Sequence, residues 1–207
     1  MIMQSSFIKA GLAILVGASF TSCATQTNLV SGKTAITKTA AATATTSKSI
    51  GRDKHGMPTY ADASRVRYVR ATAYSHMERE VGAPGRKNAA GTILKYGKVR
   101  SAAADWSVLP LGTKFKIKGQ PNYTYVVDDY GSALVGTNTV DIFKPTLRGM
   151  RSWGTRKIEI TIVQMGSFER SSKLLKGRTG YKHCRKMYNA IQGKLVQKSQ
   201  FALTEKK

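Results

Sequence analysis

Carboxylate side chains lie inside or at the ends of apolar, strand-like runs in one part of this sequence. Segment 71–165 contains seven of the eleven acidic residues. Asp141 lies within an apolar run, where an unpaired carboxylate costs free energy. Asp129 ends another run and is followed by Gly131 and Gly136, which allow the backbone to turn tightly beside a ligand. These carboxylates are candidates for acid–base chemistry, and the capping of turns is the alternative role.

An aspartate that donates a proton must be protonated near neutral pH, whereas a free aspartate has a pKa of about 3.9. Burial or a neighbouring carboxylate would raise the pKa of Asp141, and Asp105 and Asp129 could supply that like charge. The 14 Lys and Arg residues of segment 71–165 would lower the pKa. The sequence leaves open which influence is larger, because it gives no distances.

Short β-forming runs separated by glycine and proline surround these aspartates. The predicted strands cover residues 66–74, 113–118, 123–127, 139–143 and 156–163. A short helix is predicted between Lys144 and Trp153, because Pro145 lies near its start and Gly154 follows its end. Many short strands and one short helix within about 100 residues predict a mainly β fold, a small β-barrel.

The basic C-terminal region predicts one more helix. Residues 168–207 contain 11 Lys or Arg. An apolar stripe at helical spacing comprises Tyr181, Cys184, Tyr188, Ile191 and Leu195. Two roles remain open for this helix. It packs on the barrel and buries Cys184, or it binds a membrane surface or a polyanion.

The N-terminal region has the layout of an export signal, with a charged start, a run of 11 apolar residues and small residues after it. Residues 20–23 resemble a bacterial lipobox, whose cysteine, here Cys23, is acylated. Cleavage near Ser22 without lipidation is the alternative. The predicted organisation is a lipoprotein signal peptide at 1–22, the lipidated Cys23 with a flexible, disordered tether at 23–64, a barrel domain at 65–166 and a basic, partly helical extension at 167–207.

Composition excludes several classes of protein. The chain has 207 residues, a formal net charge of +23, two cysteines and three histidines. Two cysteines cannot build a disulfide scaffold or a cysteine-rich zinc site, and no histidines have metal-ligand spacing. We therefore predict no cofactor and no metal. The charge requires a polyanionic neighbour. Nucleic acid is not the predicted partner, because the export signal places the protein outside the cytoplasm.

Five motifs in combination resemble a known domain. They lie at residues 71–74 (ATAY), 89–92 (AAGT), 103–113 (AADWSVLPLGT), 127–136 (VDDYGSALVG) and 140–143 (VDIF). Over residues 70–165 the chain resembles the three-aspartate, or 3D, domain. That domain is shared by the membrane-bound lytic transglycosylase A family, resuscitation-factor-like stationary-phase proteins and their relatives.

The resemblance implies a six-stranded double-psi β-barrel and assigns roles to single residues. The three aspartates of the family correspond to Asp105, Asp129 and Asp141, and Asp141 corresponds to the catalytic acid–base. The predicted substrate-contacting residues are Tyr74, Thr113, Tyr130, Gly131 and Gly136. Tyr74 and Tyr130, with Trp106 and Trp153, could stack on sugar rings, and core packing is the alternative for these aromatic side chains.

The implied activity is cleavage of the β-1,4 bond between N-acetylmuramic acid and N-acetylglucosamine in peptidoglycan, with a 1,6-anhydro product. One carboxyl group suffices, because it protonates the leaving oxygen and then accepts the proton of the sugar's 6-hydroxyl. The inserted domain of the transglycosylase family has no room here, since residues 72–163 form one continuous barrel. The alternative is a non-catalytic peptidoglycan-binding lipoprotein of the outer membrane.

The predicted partners and location follow from the same resemblance. The protein is expected to bind peptidoglycan glycan strands and to attach to the membrane through the lipid at Cys23. Its expected location is the outer membrane, lipid-anchored and facing the periplasm, and we expect a monomer.

Overall fold

Six strands form a closed barrel in the computed structural model, which describes residues 47–78 and 85–204. The elements are β1 (Gly51–Arg52), β2 (Pro58–Thr59), β3 (Val66–Tyr74), β4 (Val99–Ala104), β5 (Lys114–Ile117), β6 (Thr124–Asp129), β7 (Thr139–Phe143), α1 (Leu147–Trp153), β8 (Arg156–Gln164), α2 (Phe168–Lys176) and α3 (Lys182–Thr204). The barrel order is β3–β7–β4–β6–β5–β8, with β8 returning to β3. The fold is therefore mainly β, with three α-helices.

The barrel mixes parallel and antiparallel pairs and closes unevenly. Strand β3 runs parallel to β7 and antiparallel to β8, and β4 runs parallel to β6 and antiparallel to β7. The β3–β8 ladder extends over Val66–Ala71, whereas the β5–β6 ladder is limited to Lys114 and Phe115. Parallel neighbours require long connections. The connections after β3 and after β6 each join strands that are not neighbours in the barrel, and they form the walls of the site described below.

Alternating apolar side chains fill the barrel. Val69, Phe115, Tyr125, Ile142 and Ile160 are fully buried. The rings of Phe115 and Tyr125, which pair across β5 and β6, are stacked with their centroids 5.4 Å apart. The period-two pattern that predicts these strands is thus the pattern of burial, because successive side chains of a strand lie on opposite faces.

The sequence predicts β3 and β7 with their observed bounds and misses β4. Strand β4 is Val-Arg-Ser-Ala-Ala-Ala, and its last four residues are buried. Alanine has low β-propensity, so local sequence gives little indication of a strand there. The strand forms through tertiary pairing with β6 and β7 on its two sides.

The tether predicted to extend to residue 64 ends earlier than expected. Residues 51–59 contain the β1–β2 hairpin, and Met57 is buried. The Asn138 backbone N–H donates to Asp53 Oδ2 at 2.6 Å, and the Asn138 side-chain amide donates to the carbonyl oxygens of Pro58 and Tyr68. The prediction of a flexible linker over residues 51–64 is therefore wrong. Polar bonds to a residue 85 positions away hold this segment.

The C-terminal helix α3 packs on the barrel through its apolar stripe. Cys184, Met187 and Ile191 are fully buried in the same core cluster as the barrel residues. Tyr181, predicted to lie in the stripe, is 67% exposed and precedes the helix. Helix α2, which the sequence analysis did not predict, lies against α3. Its first turn is capped by Ser167, whose Oγ accepts the backbone N–H of Arg170 at 2.9 Å.

Residues 1–46, including the predicted signal peptide and Cys23, lie outside the described residues. Among the helices within 47–78 and 85–204, none combines the length and apolar character that crossing a bilayer requires.

We predict that Gly166→Ala destabilises the fold, because Gly166 connects β8 to α2 where the chain touches the β4–β5 connection. A Cβ there would overlap the carbonyl oxygens of Leu111 and Pro110 and lie 2.5 Å from the amide nitrogen of Thr113. Overpacking against backbone costs about 1–3 kcal/mol, and the free energy of unfolding should fall by this amount in urea denaturation.

The control is Gly193→Ala in α3, where an added Cβ meets nothing within 4 Å. Alanine there should raise the free energy of unfolding by up to about 1 kcal/mol, because glycine is the poorer helix former. Equal effects of the two substitutions would contradict the packing described for Gly166.

Candidate active site

Two predicted catalytic aspartates lie in one row across four neighbouring strands. Thr72 of β3 pairs with Asp141 of β7, Asp141 pairs with Ala103 of β4, and Ala103 pairs with Asp129 of β6. Neighbouring strands are about 4.8 Å apart, so the backbones of the two aspartates are separated by roughly 10 Å. The small side chain of Ala103 lies between them and leaves the space above the strands open.

This row forms the floor of a cleft on the outer face of the barrel. Val140 and Ile142 are buried in the core, so strand alternation places Asp141 on the opposite face. The cleft has a volume of about 380 Å³. Its lining residues are Ala73, Tyr74, Ser75, His76, Glu78, Gly85, Lys87, Leu94, Ala103, Asp129, Tyr130, Gly131, Ser132, Ala133, Leu134 and Asp141. The walls therefore come from the connections after β3 and β6.

Asp141 has the environment of a proton donor. Burial raises the pKa of its carboxyl group to about 6, and the negative charges of Glu78 and Asp129 also raise it. The hydroxyl of Thr72 donates to Asp141 Oδ1 at 2.6 Å and, with the charge of Arg70, lowers the pKa. Burial is the larger influence, which answers the question that the sequence left open.

Asp129 is held by three donors on the other side of the cleft. Its Oδ1 accepts the backbone N–H groups of Ala89 at 3.0 Å and Tyr130 at 2.9 Å, and its Oδ2 accepts the hydroxyl of Tyr74 at 3.2 Å. Burial raises the pKa of Asp129, while these three bonds lower it. The donors fix the carboxylate in one orientation and stabilise its charge more than the single hydroxyl bond stabilises that of Asp141.

A β-bulge separates Asp129 from its neighbour Asp128. In the β4–β6 ladder Ala102 pairs with Val127 and Ala103 with Asp129, so Asp128 is the extra residue. Asp128 Oδ2 accepts Lys95 Nζ and Ser101 Oγ, each at 2.8 Å. Asp128 does not line the cleft. The bulge thus gives two consecutive aspartates different surroundings, with Asp128 in a buried ion pair.

Asp105, the third predicted catalytic residue, lies outside the cleft. It is 2% exposed and its Oδ1 accepts the backbone N–H and hydroxyl of Ser107. Its Oδ2 accepts the backbone N–H of Gly136 at 2.7 Å. The carboxylate therefore fastens the loop between β6 and β7, whose residues 131–134 form a cleft wall.

The predicted substrate-contacting residues divide into two groups. Tyr74, Tyr130 and Gly131 line the cleft. Thr113 is fully buried at a turn, where its hydroxyl donates to Pro110 O and accepts the Gly166 N–H. Gly136 has a positive φ of 77° and lies against Lys186 outside the cleft.

The two tryptophans belong to the packing and do not line the cleft. Trp106 is fully buried, and its Nε1–H donates to Asp129 O at 2.9 Å. Trp153 is 7% exposed and lies beneath the side chains of Lys144 and Arg156. Neither ring is available to stack on a ligand in the cleft.

Several cleft residues were not predicted to contact substrate. They are Ser75, His76, Glu78 and Lys87, all in the connection between β3 and β4. The sequence gives one signal, the acidic pair Glu78 and Glu80 shortly after His76, and a charged pair in a loop predicts solvent exposure. Instead, Glu78 Oε2 accepts the backbone N–H of Ser75 at 2.9 Å and its charge raises the pKa of Asp141. Glu80, the other member of the pair, lies outside the described residues.

The C-terminal extension holds Tyr130, a residue of the cleft wall, in place. Arg178, between α2 and α3, donates to Ala89 O at 2.9 Å and to the hydroxyl of Tyr130 at 3.3 Å. The buried thiol of Cys184 also donates to the Tyr130 hydroxyl at 3.3 Å. The Tyr130 ring packs edge-on against Trp106. Tyr130 is therefore fixed from both sides.

Among the described residues the cleft contains no candidate metal centre. Within 47–78 and 85–204, no three His, Cys, Asp or Glu side chains converge as metal ligands would.

Comparison with known protein families matches residues 100–164 to the family described as the 3D domain. The match covers nearly all of β4 and continues through β8, and it includes Asp105, Asp129 and Asp141. The chain therefore contains a 3D domain in this segment, as the resemblance of its motifs predicts. A comparison with curated proteins finds no match. The cleft residues that follow β3 lie outside the matched segment, as does the C-terminal extension, which contacts Ala89 and Tyr130.

We predict that Asp141→Asn stabilises the protein in a pH-dependent way. In the unfolded chain the carboxyl group ionises at a pKa of about 3.9, and in the folded protein near 6, so ionisation weakens the fold increasingly between about pH 4 and 6. The variant should gain on the order of 2–3 kcal/mol relative to the native protein at pH 8 and little at pH 4. Urea denaturation at both pH values measures this difference.

The control is Asp128→Asn, which should lower the free energy of unfolding at neutral pH because it weakens the ion pair with Lys95. A stability difference for Asp141→Asn that is the same at pH 4 and pH 8 would show that this carboxyl titrates like an exposed aspartate.

Proposed function

We propose that this protein is a peptidoglycan-cleaving enzyme of the lytic transglycosylase type. One observation carries the proposal. The Asp141 carboxyl group lies in a cleft of the 3D domain and has a pKa of about 6. Murein cleavage is the activity that the resemblance implies for this domain. A carboxyl group with this pKa is about one-tenth protonated at pH 7, and this fraction can supply the acid.

The proposed reaction uses Asp141 twice. Its proton passes to the glycosidic oxygen, the bond from that oxygen to C1 of N-acetylmuramic acid breaks, and N-acetylglucosamine leaves with the proton. The 6-hydroxyl oxygen of the muramic sugar then bonds to C1, and its proton returns to the Asp141 carboxylate. Atoms balance without water, and the aspartate ends in its starting state.

Asp129 is proposed to act through its charge. Its carboxylate is held across the cleft by the Tyr74 hydroxyl and by the backbone N–H groups of Ala89 and Tyr130. A fixed negative charge stabilises the positive charge that develops on the sugar ring as the bond breaks. Asp105 is proposed to contribute by holding the loop that carries Gly131.

The finer assignments belong to the same proposal. The barrel is proposed to be of the double-psi type, on the basis of its mixed strand pairs. Cys23 is proposed to be lipidated and to anchor a monomer to the outer membrane, so that the barrel domain reaches glycan strands from the periplasmic side. The net charge of +23 favours retention near anionic cell-wall and membrane surfaces.

We predict that the purified full-length protein releases anhydro-muropeptides from isolated sacculi, as detected by mass spectrometry. Asp141→Asn should abolish this release, because the amide cannot exchange the proton. The matched control is Asp62→Asn, which removes an aspartate paired with Lys194 on the surface and should retain activity.

Other products would decide against this mechanism. Products with reducing ends would indicate hydrolysis and require a second carboxylate near a water molecule. A third outcome is that no muropeptides are released and that sacculi bind the native protein and Asp141→Asn equally. This outcome would indicate the non-catalytic peptidoglycan-binding lipoprotein.

We predict that Ala103→Val blocks the cleft without unfolding the protein. The added methyl groups would occupy the floor between Asp141 and Asp129, while valine suits a strand. Release of muropeptides should fall at least about tenfold, with the thermal midpoint nearly unchanged. Ala102→Val, one position earlier in the buried core, should instead lower stability by about 1–3 kcal/mol. Full activity of Ala103→Val would place the reaction elsewhere.

A further inference from the structure

A second depression adjoins the cleft and has the opposite chemical character. Its volume is about 310 Å³, and it is lined by Ser132, Val135, Lys182, His183 and Lys186. Ser132 lines both the depression and the cleft, so the two share a border at the short 3₁₀ helix Ser132–Leu134. A bound molecule can therefore extend from one into the other.

The depression presents positive charge that the protein does not neutralise. None of its lining residues is acidic. Lys182 and Lys186 are both exposed, and neither forms an ion pair with another residue of the described ranges. Two unpaired ammonium groups around one depression form a site for an anion.

The cleft beside it carries carboxylates. Asp129, Asp141 and Glu78 line the cleft, with Lys87 as its one lysine. An anionic group on a ligand is repelled by these carboxylates and attracted by the depression. The adjoining sites therefore suit a ligand with a neutral part for the cleft and an anionic part attached a short distance away.

Packing fixes the border between the two sites. The rings of His183 and Tyr130 lie with centroids 5.8 Å apart, and Tyr130 is a wall of the cleft. A Cβ at Gly136 would lie 2.9 Å from Lys186 Nζ, so the glycine permits the ammonium group to lie close to the loop backbone. The lysine is thus placed against the loop that Asp105 fastens.

We propose that Lys182 and Lys186 bind carboxylate groups of the peptide attached to muramic acid while the sugar occupies the cleft. The proposal rests on the proposed function and adds the substrate class, namely glycan strands that still carry their peptides. The peptide branches from the muramic sugar and carries several carboxylates, which matches a neutral sugar chain with an anionic branch. An anionic membrane would require the same lysines to face a flat surface, and here they line a depression beside the cleft.

The test compares two probes: glycan strands that carry tetrapeptides and the same strands freed of peptide by an amidase. Binding to the full-length protein is measured by calorimetry, separately from product release. Lys182→Gln with Lys186→Gln should weaken binding of the peptide-bearing strands about tenfold and leave peptide-free strands unaffected. The matched control is Lys173→Gln with Lys176→Gln, which removes two exposed lysines of α2 that line neither site.

Three other results overturn the inference, and a fourth concerns the proposed catalysis only. Equal losses for both kinds of strand, or equal losses in the α2 control, would indicate attraction by general charge. A loss of binding to phosphatidylglycerol vesicles without a loss for peptide-bearing strands would assign the lysines to a membrane. If the predicted binding pattern is found but no anhydro products form, the proposed catalysis is refuted and the binding inference stands, because the binding measurement does not depend on cleavage.

Discussion

The burial of one carboxyl group, that of Asp141, is the constraint on which the site depends. The group lies on a central strand between Val140 and Ile142, both of which are fully buried in the core. The pairing of β7 with β3 and β4 holds Asp141 at the cleft. Burial of this carboxyl group raises its pKa to about 6. Ionisation of the group therefore lowers the free energy of unfolding of the barrel.

Four aspartates of similar sequence context end in four different environments. Asp141 has one hydroxyl donor, Asp129 has three donors, Asp105 is tied to a glycine N–H, and Asp128 is paired with a lysine. The number and charge of the donors decide whether a buried carboxylate is stabilised in its ionised form. Burial raises the pKa of both Asp129 and Asp141, and for Asp141, which has a single side-chain donor, the pKa reaches about 6.

Sequence patterns predict the parts of this structure in which local and tertiary preferences agree. Strands β3 and β7 alternate or are rich in β-forming residues, and their bounds are as predicted. Strand β4 is not predicted, since its run of alanines has low β-propensity and the strand is defined by its pairing with β6 and β7. The hairpin at residues 51–59 was also missed, because it is held by bonds to distant Asn138. At the site, motif resemblance indicates Asp129 and Asp141, which line the cleft, and Asp105, which does not. The position of Glu78 beside them depends on distances that no sequence pattern encodes.

The cleft depends on parts of the chain that lie outside the matched segment. Residues 100–164 contain both aspartates of the floor, but the Tyr130 hydroxyl is held by Arg178 and Cys184 of the extension. Arg178 also bonds to Ala89 O, on the connection whose backbone N–H holds Asp129. A shift of the extension would therefore move Tyr130 in the cleft wall and the Asp129 carboxylate together. The proposed anion-binding depression lies at the first turn of α3, where this helix meets the loop between β6 and β7. The extension is therefore better regarded as part of the site than as a separate basic segment.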